Sequence, residues 1–114
     1  MGKYRTVIAY RHYFEDFLDK QSPKVRMKIL QTMRIIEEIE FVPKNYLKYI
    51  EGTDGLFEVR VGFGGDMFRF FCFFDDGRLV VLLSGFQKKT QKTPSAEIGR
   101  ALRLMKEYYR EKYD

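Results

Sequence analysis

Residues 56–84 read Leu56-Phe57-Glu58-Val59-Arg60-Val61-Gly62-Phe63-Gly64-Gly65-Asp66-Met67-Phe68-Arg69-Phe70-Phe71-Cys72-Phe73-Phe74-Asp75-Asp76-Gly77-Arg78-Leu79-Val80-Val81-Leu82-Leu83-Ser84. From Leu56 to Phe63 apolar and polar positions alternate, with Phe57, Val59, Val61 and Phe63 on one face and Leu56, Glu58 and Arg60 on the other, the two-residue period of a strand. Gly64-Gly65-Asp66 is a turn, so Met67 to Phe74 returns antiparallel. Asp75-Asp76-Gly77 turns the chain again, and Arg78 to Ser84 is an apolar strand expected at the centre of a β-meander.

Upstream of this sheet the period changes. Tyr4 to Ala9 reads as a strand, rich in β-branched residues and alternating. From His12 to Lys20, Tyr13, Phe14, Phe17 and Leu18 form a helical stripe, with Glu15, Asp16 and Asp19 opposite. Ser22-Pro23 predicts a second helix start, Ser22 as cap and Pro23 at the first helical position, where a missing N–H costs nothing. Its inward face takes Val25, Ile29, Met33 and Ile36, with Leu30 and Ile39 as further candidates, until Pro43 ends it after about Glu40. Downstream, Thr93-Pro94 repeats the cap-and-proline signal, and Ile98, Ala101, Leu102, Met105 and Tyr109 mark a last helix to near Lys112. The order β-α-α-β-β-β-α implies an α+β fold in which a curved antiparallel sheet is packed by an N-terminal helical hairpin.

The chain of 114 residues, 45% apolar and 17% aromatic, is expected to form a single domain over residues 1–114 and to bury roughly two-thirds of its unfolded surface. Its longest apolar runs, Phe70 to Phe74 and Leu79 to Leu83, fall far short of the roughly 20 residues that cross a bilayer. No basic-then-apolar leader opens the sequence, so a cytoplasmic protein is expected. Cys72 is the one cysteine, which leaves neither a disulfide nor a cysteine zinc site within one chain and reads as a buried small hydrophobe. The net charge of +5 favours anionic partners.

Few residues offer chemistry. His12 is the only histidine, so no Ser/His/Asp arrangement fits within the chain. Asp75 and Asp76 satisfy a tight turn better than a metal. Gly62-Phe63-Gly64-Gly65 joins two strands and opens no helix, unlike a dinucleotide fingerprint. No metal or cofactor is therefore expected. The basic residues carry more. Arg69 lies between Phe68 and Phe70, where an unpaired charge is costly; it pairs with a carboxylate such as Glu58 or Glu97, or snorkels to the strand edge, or stands on an open sheet face where its fork clamps a phosphate. Arg60 is placed to reach the same cleft. The loop Gly85-Phe86-Gln87-Lys88-Lys89-Thr90-Gln91-Lys92-Thr93 brings Lys88, Lys89 and Lys92, with no acid, to a helix N-terminus that itself favours anions. That loop is the expected functional surface, and RNA the expected partner.

The segments Leu56-Phe57-Glu58-Val59-Arg60-Val61, Phe68-Arg69-Phe70-Phe71, Leu82-Leu83-Ser84-Gly85-Phe86-Gln87-Lys88-Lys89-Thr90-Gln91-Lys92-Thr93-Pro94 and Glu97-Ile98-Gly99-Arg100-Ala101 resemble the phage-derived HigB-like branch of the RelE/ParE toxin superfamily. The resemblance implies a RelE-like fold. It also implies the toxin of a type II toxin–antitoxin pair, a ribosome-dependent, metal-independent endoribonuclease (an mRNA interferase) neutralised by a cognate antitoxin, a helix-turn-helix protein encoded in an adjacent gene. By motif, Arg69 would hold the scissile phosphate as the family's third-strand arginine, and Lys89 or its neighbour Lys88 matches the basic residue after the last strand. Arg60 matches a basic position on the preceding strand, and Lys92 and Lys88 would add RNA contacts. Two departures follow: Glu58 stands where the best-studied branch has lysine, and no tyrosine occupies Thr93 to Glu97. Lys88, Lys92, Tyr108 and Tyr109 all remain open as the proton-transfer group. A module that grips RNA or an acidic partner without cutting is the alternative reading.

Overall fold

The computed structural model describes residues 3–90 and 92–114; Met1, Gly2 and Gln91 lie outside them, Gln91 being one position of the expected basic loop. Among the described residues the elements are β1 (Thr6–Ala9), α1 (Tyr13–Asp19), α2 (Pro23–Glu38), β2 (Leu47–Tyr49), β3 (Phe57–Phe63), β4 (Asp66–Asp75), β5 (Leu79–Lys88) and α3 (Ser95–Tyr113). The α+β class, the helical hairpin and the β3-β4-β5 meander match the sequence reading.

Three points of topology differ from that reading. β2 has only three residues, too few for a two-residue period to stand out, yet it extends the sheet by pairing antiparallel with β3. The strand order is β1-β5-β4-β3-β2, so β4 rather than the Arg78–Ser84 strand is central. β1 pairs parallel with β5, which makes the sheet mixed; a parallel pair needs a long crossover, and here the helical hairpin and the meander supply it.

The sheet is also covered on both faces. Val59, Val61, Phe68, Phe70, Cys72, Val80 and Leu82 pack under α1 and α2, while Leu56, Phe71, Phe73, Val81 and Leu83 pack under Ala101 and Leu104 of α3. This explains the unbroken apolar runs in β4 and β5, since a strand buried on both sides has no polar face to alternate with. In α2, Ser22 Oγ accepts from the Val25 N–H at 3.3 Å, as the cap predicts. Leu30 and Ile39, the further candidates for that face, are instead 47% and 46% exposed. The buried stripe runs through Val25, Ile29, Thr32, Met33 and Ile36, and Thr32 is tolerated there because its hydroxyl donates to the Lys28 carbonyl at 2.9 Å. Arg5 ties β1 to the open C-terminal end of α2 by donating to the carbonyls of Ile36, Ile39 and Glu40. Among the described residues no helix is long and apolar enough to cross a membrane.

At the far end of the sheet Asp76 and Gly77 turn the chain with φ of 57° and 77°, a left-handed pair that Asp-Gly adopts readily. Asp75 is not an open turn carboxylate, because it is 5% exposed. It accepts from the Tyr108 hydroxyl at 2.6 Å and from Lys112 Nζ at 2.9 Å, which pins the end of α3 to β4. The Tyr108 hydrogen bond, and then Lys112, hold the Asp75 carboxyl below the usual carboxylate range, and the same bond pushes the Tyr108 phenol up to about 12. Because Asp75's folded value is depressed, its contribution is complete above the unfolded carboxylate pKa of about 4 and is lost as pH falls through the folded value. Asp75→Asn is expected to cost about 1–3 kcal/mol, and its melts should show less loss of stability on acidification than those of the parent chain; equal acid dependence in both would contradict the assignment.

Candidate nucleic-acid interface

The register of the meander places charged side chains on the α3 side of the sheet. Arg60 stands directly opposite Arg69 across β3 and β4, and Lys48 of β2 opposite Glu58. Both arginines therefore share one face. The sequence left it open whether Lys88 or Lys89 joins them, and a bulge in β5 supplies the answer. Phe70 pairs with Gly85 and Cys72 with Leu82, so three steps along β5 match two along β4. Leu82 faces the helical hairpin, and unbroken alternation would send Phe86 and Lys88 to that same side. The extra residue reverses the alternation, so Phe86 stacks on Phe71 with centroids 5.6 Å apart, and Lys88 lies beside Arg69. Gly85 to Lys88, expected as loop, are thus strand.

Gly85 is required by a close approach. A Cβ there would lie 2.5 Å from Cδ1 of the buried Phe70 ring and 3.3 Å from the Arg69 carbonyl oxygen.

Arg69 is 1% exposed, so it does not stand on an open face as the phosphate-clamp reading supposed. It donates from Nη1 to the Phe68 carbonyl at 3.0 Å. Its partner among the two suggested carboxylates is Glu58, whose Oε1 lies 3.7 Å from Arg69 Nε and 3.5 Å from Arg60 Nε. The other oxygen of Glu58 accepts from the Thr93 hydroxyl at 3.2 Å. Thr93 therefore does not cap α3; Pro94 occupies the N-cap position with no side-chain bond.

Charge crowding leaves a mark on two of these cations. Burial, then repulsion from Arg60, lowers the pKa of Arg69, with Glu58 opposing; a guanidinium nevertheless stays protonated. Burial, then the Arg69 charge, lowers that of Lys88, with Arg60 and Lys48 adding to the effect and Glu58 opposing it. Lys89 and Lys92 are exposed beyond β5, where Thr90 Oγ1 donates to the Lys92 carbonyl at 2.9 Å. His12 sits exposed at the start of α1, with Nδ1 3.9 Å from Glu15. Tyr108 is committed to Asp75, and Tyr109 packs on Phe73, so neither joins the cluster. Cys72 is buried. A cavity of about 720 Å³ lies between α3 and the Gly52–Gly55 loop, lined by Phe73, Leu102, Met105 and Tyr109 together with Asp54 and Lys106. Among the described residues no group of three or more His, Cys, Asp or Glu is gathered as a metal site would be.

Two members of the cluster were not singled out from sequence. Lys48 depends on β2, whose brevity hid it. Thr93 was taken for a helix cap, and only the fold reveals that its hydroxyl points to Glu58.

The sequence matches the family described as "Phage derived protein Gp49-like (DUF891)" over residues 16–106. Among solved structures the fold is similar to a chain of the archaeal RelE–RelB complex from Pyrococcus horikoshii OT3, with a TM-score of 0.51 and 17% identity over 79% of this chain and 99% of that one. No curated protein matches the sequence.

Gly85→Ala is expected to lower stability by about 1–3 kcal/mol through overpacking against Phe70, read as a lower melting temperature. An unchanged melt would show that the ring gives way freely.

Proposed function

The chain belongs to the phage-derived Gp49-like family, and we propose that it is the toxin of a type II toxin–antitoxin pair, a metal-independent endoribonuclease that cuts mRNA on the ribosome. The observation that carries this reading is the convergence of Arg60, Arg69, Lys88 and Lys48 on one face of the sheet. Family membership and the RelE-like fold support the toxin assignment. The cation cluster supports the phosphate chemistry.

In the proposed reaction the RNA 2′-oxygen attacks the adjacent phosphorus while the bond from phosphorus to the 5′-oxygen breaks. The proton leaves the 2′-hydroxyl for a base, and another is delivered to the departing 5′-oxygen. Negative charge accumulates on the non-bridging oxygens, and Arg60 with Arg69 behind it supplies fixed positive charge there. Burial, then neighbouring cations, favour the neutral amine of Lys88, which lies in the cluster beside the arginines. That makes it the proton-transfer group, ahead of Lys92, Tyr108 and Tyr109. Lys89 and Lys92, exposed beside the cleft, contact flanking phosphates. RelE was solved with RelB, and by analogy a helix-turn-helix antitoxin from an adjacent gene covers this basic face. The protein acts in the cytoplasm, where ribosomes and mRNA meet.

The near-complete burial of Arg69 favours a second reading, a module that holds RNA without cutting it. Induced expression in a bacterial host separates the two: wild type is expected to arrest growth with loss of intact mRNA, and Arg69→Ala to grow normally. Equal growth would count against the toxin, and arrest with intact mRNA would favour the binding module.

Arg60→Ala and Lys88→Ala are each expected to lower the cleavage rate by about 10²-fold or more on programmed ribosomes. With Lys88 acting as base, the rate rises with pH and levels off above a pKa lower than the free-lysine value of about 10.4. Lys88→Arg should abolish that rise. A wild-type profile that is flat, or falls as pH increases, would remove Lys88 from the role.

A further inference from the structure

Among the described residues Glu58 is the one carboxylate bonded into the cation cluster, and the way it holds its partners is incomplete. Its Oε1 lies 3.5 Å from Arg60 Nε and 3.7 Å from Arg69 Nε, close enough for charge attraction but too far for good hydrogen bonds. Neither Nε has a hydrogen-bond partner among the described residues, although both atoms are buried. Unpaired buried donors are costly, and here both belong to cations that share the same anionic oxygen. The second oxygen takes the Thr93 hydroxyl at 3.2 Å, so one carboxylate joins β3, β4 and the segment leading into α3.

Resting on the endoribonuclease reading of this cleft, we propose that Glu58 is a positioning residue that occupies the phosphate's place electrostatically and yields Arg60 and Arg69 to the RNA phosphate as it enters. Without an anion between them the two opposed guanidinium groups repel. Glu58 keeps them together until a phosphodiester, with four oxygens to the carboxylate's two and negative charge that grows as the 2′-oxygen attacks, completes the bonds that the carboxylate leaves unmade. Because Glu58 also holds Thr93, its release from the arginines is transmitted to the segment that carries Lys92. Entry of the phosphate and rearrangement of that segment are thus one event. The exchange also accounts for a buried Arg69, since a guanidinium that is 1% exposed becomes available only when its neighbours move.

Opposite signs separate this role from a purely structural one. Purified wild type, Glu58→Gln and Thr93→Val are compared for binding of inorganic phosphate and of a 2′-O-methyl RNA oligonucleotide, which cannot be cleaved because the attacking hydroxyl is blocked. Folding of each variant is checked by circular dichroism. Removing the competing charge should tighten phosphate binding by about tenfold in Glu58→Gln, with a smaller gain in Thr93→Val, where the carboxylate stays but is held less firmly. Unchanged or weaker binding by a folded Glu58→Gln overturns the proposal; if that variant does not fold, unchanged or weaker binding by Thr93→Val does so. Cleavage is assayed separately. Tighter binding with no cleavage by wild type sinks the nuclease reading and keeps the exchange, whereas cleavage with unmoved affinities does the reverse.

Discussion

Arg60 and Arg69 face each other across β3 and β4, and two like charges so placed destabilise a sheet unless an anion lies between them. Glu58 is that anion, contributed by β3 itself two residues before Arg60. Much of the cleft's form depends on this contact. It allows a guanidinium to be buried in the most aromatic strand of the sheet, it sets the spacing of two cations without saturating them, and through Thr93 it fixes where the chain enters α3. Such an arrangement adds little to stability, since desolvating the charges offsets most of their attraction. In the proposed function its value lies in holding positive charge ready for an incoming anion.

The surrounding fold keeps the cluster where it is. The helical hairpin seals one face of the sheet, and α3 seals part of the other. The Asp75 carboxylate pins the far end of α3 through Tyr108 and Lys112. Along β5, a single extra residue brings Phe86 and Lys88 to the α3 side while Gly85 leaves room for the Phe70 ring. A register device of one residue thus determines which lysine joins the arginines.

Long periodic segments were legible in the sequence. Ser22-Pro23 marked the start of α2, the alternation of Leu56 to Phe63 gave β3 and its two faces, and the unbroken apolar runs of β4 and β5 signalled strands buried inside the sheet. What stayed hidden depends on tertiary contact. β2 is shorter than its own period, and the parallel pairing of β1 with β5 joins segments far apart in the chain. The bulge that orients Lys88 leaves no local trace in Leu82-Leu83-Ser84-Gly85. Thr93 followed by Pro94 looks like a cap until Glu58 is seen to take its hydroxyl. At the site, Arg60, Arg69 and Lys88 were nameable from sequence because charge among apolar residues is conspicuous. The burial of Arg69 was not, since it depends on what packs above the strand.

In the proposed reaction this face directs a 2′-oxygen onto the adjacent phosphorus of mRNA. The chemical ends of the RNA left behind test it most directly. Fragments from ribosomes treated with the purified protein should carry 5′-hydroxyl ends and 2′,3′-cyclic phosphates. Intact mRNA, or fragments with 5′-phosphate ends, would contradict the account.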